Sequence, residues 1–267
     1  MSLPETYTLI RHGLSEANVV QAAFRAQTDI TLPEEFFTRH DSNMRLALQG
    51  VEQAIATGVW LKENNFLFDR FYVSPHTRTR ETAYNLHLGG QWRVDDRFRE
   101  RDWGEIKTVS STREDPQTPA SRMNKQLSEW YWKPQAGESL ATGVRLRAES
   151  ITNSLYRKSG SSHAVAVTHG EFIRATQFVI ERMTPEAWGV MNDDPAYKVQ
   201  NCMVIQYSRR NPNNESEAFS NHYVWRRAIC PWDETRSWDN GEWVYVNATK
   251  FSDDDLKASV ENYKRLL

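Results

Sequence analysis

Tyr7-Thr8-Leu9-Ile10-Arg11-His12-Gly13 is the stretch on which the reading of this chain turns. Tyr7 to Ile10 are β-branched or apolar and read as a short buried strand. The run stops abruptly at a cation, an imidazole and a glycine. A strand ending this way presents all three groups at the carboxyl edge of a sheet, where open α/β sheets bind ligands. Glycine permits a turn or a close backbone approach that a side chain would block. A guanidinium beside an imidazole suits an anion, because its fork of N–H donors fits phosphate oxygens. A basic turn after an edge strand accounts for the tripeptide equally well, since short motifs recur by chance.

Working outward, the same pattern returns. Phe71-Tyr72-Val73-Ser74 reads as a second strand, stopped by Pro75, with Arg78 just beyond it. Ala164-Val165-Ala166-Val167-Thr168 is a near-continuous apolar run, as expected inside a parallel sheet. It ends in His169-Gly170, delivering a second histidine and glycine to a sheet edge. Between these lie helical patterns: Leu48, Val51, Ile55 and Val59 predict a helix from about Ala47 to Lys62, and Thr77 to Leu88 predicts another. Val144, Ala148, Ile151 and Leu155 mark a third from about Glu138 to Arg157, and Glu171 to Met183 a fourth. Thr184-Pro185 starts a further short helix with proline in its favoured first position. Trp92-Arg93-Val94 is a short strand, and Cys202–Tyr207, His222–Ile229 and Trp243–Ala248 read as later ones. A last helix begins at Ser252, with Asp255 as its capping-box partner.

Alternating strands and helices predict an α/β three-layer sandwich: a mostly parallel sheet with helices on both faces, plus a strand-rich C-terminal extension at 208–267. Residues 19–44 show no sustained period, and 105–137 hold Pro116, Pro119 and Pro134. Both are expected to be cap insertions over the site, because long irregular connections in compact domains are often lids or binding loops. No linker interrupts 1–267, which predicts a single domain.

The bulk properties are those of an ordinary globular protein. Of the 267 residues, 39% are hydrophobic and 25% charged, with a net charge of -2, which argues against a nucleic-acid binder. No apolar run reaches membrane-spanning length, and no signal-peptide core is seen near Met1. The two cysteines, Cys202 and Cys230, have no metal-ligand spacing. A cytoplasmic location is therefore expected, and the sequons at Asn214 and Asn247 are read as chance matches. Trp is frequent, with 10 in the chain, and the late ones are read as packing residues.

Arg11-His12, Arg78, Glu100 and His169 all fall at element ends and could converge. Two arginines and two histidines make a site for a dianion. A neutral imidazole is a competent nucleophile toward phosphorus. Glu100 could donate a proton to a leaving oxygen if burial raises its pKa. No P-loop and no zinc or paired-carboxylate magnesium spacing is present. Taken singly, Arg78 fits a solvated helix face, Glu100 a charged surface turn, and His169 a satisfied core histidine.

The ordered set of motifs resembles the histidine phosphatase superfamily, the phosphoglycerate mutase-like proteins. TLIRHGLSEAN (8–18) is similar to the family's opening Arg-His-Gly signature, and LALQGVEQA (46–54) to its following helix start. VSPHTRTRETA (73–83) resembles the Ser-Pro-x-x-Arg-x-x-x-Thr-Ala element, and FRERDWGE (98–105) the Leu-x-Glu-x-x-x-Gly segment. GES (137–139) with Arg145 resembles the Gly-Glu-Ser helix start, VAVTHGEFIR (165–174) the second-histidine motif, and NCMVIQY (201–207) the strand after it. The resemblance spans roughly residues 5–207. It implies that His12 becomes phosphohistidine and that Arg11, Arg78 and His169 bind the transferring phosphoryl group. Asn18 and Gly170 would help to position the substrate, and Glu100 would act as acid and then base. The expectation is a metal-independent, cofactor-free phosphatase of the histidine acid phosphatase-like kind, hydrolysing a small phosphomonoester. Leu14, where mutases often carry Glu, and the lack of mutase-like substrate segments in 105–137 weigh against the first alternative, phosphoglycerate mutase-type phosphoryl transfer. A second alternative is a non-catalytic phosphate-ligand binding protein.

Overall fold

Strand β1 (Thr6–Arg11) lies inside a sheet because Tyr7, Leu9 and Ile10 are fully buried and must be covered on both faces. The structure, a computed structural model, describes residues 2–104, 123, 125, 128–158, 162–214, 216–246, 248, 250–261 and 263–266. Among these, β1 pairs in parallel with β4 (His163–Thr168), which pairs in parallel with β2 (Arg70–Val73), which carries β3 (Trp92–Val94) on its outer edge. On its other side β1 pairs antiparallel with β5 (Val204–Ser208), followed by β6 (Trp225–Ile229) and β7 (Val244–Tyr245). The order is β3-β2-β4-β1-β5-β6-β7, a parallel half joined to an antiparallel half. The strand-rich C-terminal region is thus an extension of the same sheet.

Alternation along the strands assigns each face its helices. Tyr7, Leu9, Ala164, Ala166 and Ile205 share a core with α5 (Arg145–Lys158) and α6 (Gly170–Glu181). Ile10, Val165, Val167, Val73 and Val204 form the opposite core with Leu61 of α3 (Leu48–Glu63) and Ala83 of α4 (Thr77–Asn85). The short helix read at Thr184-Pro185 is α7 (Pro185–Asp193), capped by Thr184. The last is α8 (Asp253–Glu261), where the Ser252 amide donates to Asp255 and the Asp255 amide to Ser252. Trp188 and Trp238 are buried in the first core, in keeping with their reading as packing residues.

Residues 19–44 are more regular than their sequence pattern suggests. Helix α1 (Glu16–Arg25) is set by a capping box in which the Asn18 amide donates to the Ser15 hydroxyl and the Ser15 amide to Asn18 Oδ1. A short α2 (Glu34–Thr38) follows. Ala17, Val20, Phe36 and Met44 bury one another in a small separate core. The period was hidden because α1 buries only Ala17 and Val20, too few positions for a repeating stripe. Most of the other expected cap, 105–122 with 124, 126 and 127, lies outside the described residues.

Candidate active site

Three parallel strands bring their carboxyl ends to one edge. β1 ends in Arg11 and His12, β2 in Ser74, and β4 leads into His169. The turn after β1 needs glycine for close approach: a Cβ on Gly13 would sit 2.4 Å from the Gly50 carbonyl oxygen, and one on Gly50 2.1 Å from that of Leu14. These two glycines let α3 start directly against the strand end. Behind the turn, the Cys202 amide donates to the Arg11 carbonyl (3.0 Å), and Asn201 Nδ2 donates to the His12 carbonyl (3.0 Å).

His12 is buried, and its Nδ1 lies 2.8 Å from the Gly13 carbonyl oxygen. A carbonyl only accepts, so Nδ1 carries the proton and Nε2 keeps a lone pair. Burial above all, and then the charges of Arg78 and Arg11, hold the His12 pKa well below the ordinary histidine value. The arginines thus contribute to its neutrality, but desolvation comes first.

His169 is fully buried, 5.2 Å from His12 between ring centroids. Its Nε2 lies 2.8 Å from the Ser74 hydroxyl, which also accepts from the His76 amide at 3.4 Å. Ser74 thus engages Nε2, while Nδ1 of His169 has no hydrogen-bond partner. Nδ1 is 3.9 Å from Glu100 Oε2. Burial, followed by Arg78 and His12, keeps this imidazole neutral as well.

The two guanidiniums are fixed from behind. Arg11 Nη1 donates to the Val199 carbonyl (2.7 Å), leaving its buried Nε without an acceptor. Arg78 is 4% exposed and donates to the carbonyl and carboxylate of Asp41 at 2.8 and 3.1 Å. Asn18 Oδ1 accepts from Ser15 and from Asn201, which turns the Asn18 side chain toward the same cleft. Gly170 opens α6, so an anion here also meets a helix N-terminus.

Glu100 sits on a loop held by Arg147, whose guanidinium donates to the carbonyls of Arg97, Arg99 and Glu100 and to Glu138. Burial first, and the nearby Glu171 carboxylate second, push the Glu100 pKa up to about 7. The Arg101 amide donates to Oε1 (3.0 Å) and opposes that shift. Arg99 is turned to Asp96 and Glu138, and Arg101 donates to the carbonyls of Glu138 and Trp132 and lies 3.9 Å from Glu171, its charge acting on Glu171 more than on Glu100.

Arg11, His12, Asn18, Arg78, Glu100 and Gly170 line one cleft of about 920 Å³, and His169 is fully buried beside His12. His12, Glu100 and His169 offer ligand atoms within 4.8 Å of one another, a spacing a cation could bridge. Arg11 and Arg78 act on the same three groups and repel a cation, so the charge balance favours an anion.

Ser74, Asp41, Glu171, Asn201 and Arg147 join the site without having been singled out by sequence. Ser74, Glu171 and Asn201 lie inside the segments 73–83, 165–174 and 201–207 quoted above, where a role could have been read for them. Asp41 carries no local signal. Arg145, quoted with the Gly-Glu-Ser segment, instead bonds Glu149, and Arg147 supports the Glu100 loop.

A model of the histidine phosphatase superfamily (branch 1) matches residues 7–215. The 2,3-bisphosphoglycerate-dependent phosphoglycerate mutase of Afipia carboxidovorans is 27% identical over 185 residues, covering 67% of this chain and 82% of that protein. Among solved structures, a mycobacterial glucosyl-3-phosphoglycerate phosphatase superposes with a TM-score of 0.59 at 21% identity, covering 76% of this chain and 92% of that one. A phosphoserine phosphatase from Entamoeba histolytica, bound to 3-phosphoglyceric acid, gives 0.57 at 20% identity over 76% and 90%. These two likenesses establish a common fold.

Proposed function

The chain belongs to the histidine phosphatase superfamily, and from that premise we propose that it is a phosphohydrolase acting on a small phosphomonoester through a phosphohistidine on His12. The observation that carries this reading is a pairing of opposites at one cleft: a histidine held neutral with Nε2 free, and a carboxyl group held near neutrality at about 7. One is ready to attack and the other to donate a proton.

Arg11, Arg78, Asn18 and His169 Nδ1–H hold the phosphoryl oxygens, together with the Gly170 end of α6. Nε2 of His12 attacks phosphorus while the bond to the ester oxygen breaks, and Glu100 delivers its proton to that oxygen. The ionised Glu100 then takes a proton from water as the water oxygen attacks the phosphohistidine. The P–N bond breaks, Nε2 recovers its lone pair, phosphate leaves and Glu100 is again protonated. Oxygen charge spread in the transition state is met by fixed guanidiniums, so the reaction is proposed to need no metal and no other cofactor. A protein that only binds phosphate has no use for a carboxyl group near 7 beside the anion.

A second reading, phosphoryl transfer between hydroxyls of phosphoglycerate, is favoured by the mutase relatives. Leu14 in place of the mutases' usual Glu supports hydrolysis. A screen of phosphorylated metabolites, with and without EDTA, tests all of this. Phosphate release unaffected by chelator is expected, and His12→Ala should lose both turnover and acid-labile phosphate labelling. Interconversion of 2- and 3-phosphoglycerate without phosphate release would select the mutase reading. Activity lost to EDTA and restored by magnesium would refute metal independence.

A further inference from the structure

The cleft that holds His12 adjoins a second chamber of about 540 Å³, and Ala17, Asp41, Glu100 and Trp103 line both. Glu100 lines both, whereas His12 and Arg11 line only the first. In-line displacement places the leaving oxygen on the far side of phosphorus from the attacking nitrogen. A leaving group that departs away from His12 and takes its proton from Glu100 can enter the second compartment, which the acid lines and the nucleophile does not.

Among the described residues, that compartment carries aromatic and thioether surface: Phe36, Phe37, Met44 and Trp103. Phe36 and Phe37 meet edge-to-face with centroids 5.9 Å apart, and Phe36 is anchored in the small core with Ala17 and Met44. Its arginines are engaged. Arg39 pairs with Glu16 at 2.9 Å, Arg99 with Glu138 at 2.8 Å, and Arg101 donates to two carbonyls while lying over the Trp103 ring. His76, which also lines the chamber, is kept neutral by burial and by Arg78, with a pKa lowered to about 4. Among the described residues, the chamber thus sets aromatic and thioether faces beside arginines that are each tied to a carboxylate or a carbonyl, Arg101 keeping its buried Nη1 without a hydrogen-bond partner.

Resting on the hydrolase reading above, we propose that the preferred substrates are phosphate esters of uncharged, apolar alcohols, whose aromatic or branched hydrocarbon part docks against Phe36, Phe37, Met44 and Trp103. This separates the chain from proteins whose substrates carry a carboxylate close to the ester. Phe37 sets the preference from the rim, since it is 46% exposed and free of the buried core.

The test compares kcat/KM for 2-phenylethyl phosphate, ethyl phosphate and 3-phosphoglycerate, all alkyl esters that need the Glu100 proton, in the wild type, Phe37→Ala and Phe37→Lys. Ethyl phosphate is the internal reference within each enzyme. The wild type should favour the phenylethyl ester over the ethyl ester by about tenfold or more, since even a single methylene in an apolar pocket is worth about 10- to 200-fold. Phe37→Ala should reduce that ratio several-fold. Phe37→Lys should reduce it further and raise 3-phosphoglycerate relative to ethyl phosphate. A wild-type ratio near one, a ratio unmoved by either substitution, or 3-phosphoglycerate as the best of the three would overturn the inference while leaving the hydrolase intact. No phosphate released from any ester, nor from p-nitrophenyl phosphate, would remove the hydrolase reading and this inference together.

Discussion

Replacing Glu100 with Gln removes the proton while keeping the size and one hydrogen-bond acceptor of the side chain. In the wild type, Oε1 accepts from the Arg101 amide at 3.0 Å, so the proton resides on Oε2, the oxygen 3.9 Å from His169. With a pKa of about 7, roughly half of Glu100 is protonated at neutral pH. The acid form is lost as pH rises, so kcat/KM for an alkyl phosphate should fall about tenfold per pH unit above 7. His12 must be neutral to attack, and its pKa lies well below the ordinary value, so it places no limb in this range. Positioned acid catalysis contributes about a hundred- to ten-thousand-fold, and Glu100→Gln should lose that order of rate with an alkyl ester. With p-nitrophenyl phosphate, whose leaving group departs without a proton, phosphorylation of His12 should lose far less. Single-turnover labelling of His12 with each ester measures the difference. Glu171→Gln supplies an independent check of the cause: Glu171 is the main charge raising Glu100, so its neutralisation should shift the alkaline limb to lower pH. Equal losses for the two esters, or an alkaline limb that survives in Glu100→Gln, would refute the acid role.

Gly50→Ala should destabilise the fold by about 1–3 kcal/mol, because its Cβ would lie 2.1 Å from the Leu14 carbonyl oxygen and the backbone at the site must yield; a lowered urea midpoint with unchanged m-value checks this. Arg147→Met removes the donors that hold three carbonyls of the Glu100 loop and should slow alkyl phosphates more than p-nitrophenyl phosphate; equal slowing would show a role in stability alone.

What the sequence disclosed and what it hid follow from range. β1 and β4 were legible because buried parallel strands are continuous apolar runs, and each stops at a histidine followed by a glycine. Arg11, His12, Arg78, Glu100 and His169 were nominated by their places at element ends, and the fold gathers them at one edge. Asp41 was invisible because its link to Arg78 crosses 37 residues and depends on how α1 and α2 fold back. Arg147 was passed over for Arg145 because the choice depends on which side of α5 faces the Glu100 loop. The neutrality of His12 owes most to burial and less to its arginine neighbours, and burial cannot be read from adjacent residues.

The sheet order carries a consequence for synthesis. Thr6 pairs with His163 across 157 residues, and the other neighbour of β1 is made later still. At about 5–20 residues per second, β1 waits on the order of ten to thirty seconds after leaving the ribosome before either partner exists. Through that interval Tyr7, Leu9 and Ile10 have no sheet to join, and pairing so distant in sequence is slow even once both strands are available. The strand that ends at His12 is thus the one with the longest exposure to misassociation in the nascent chain.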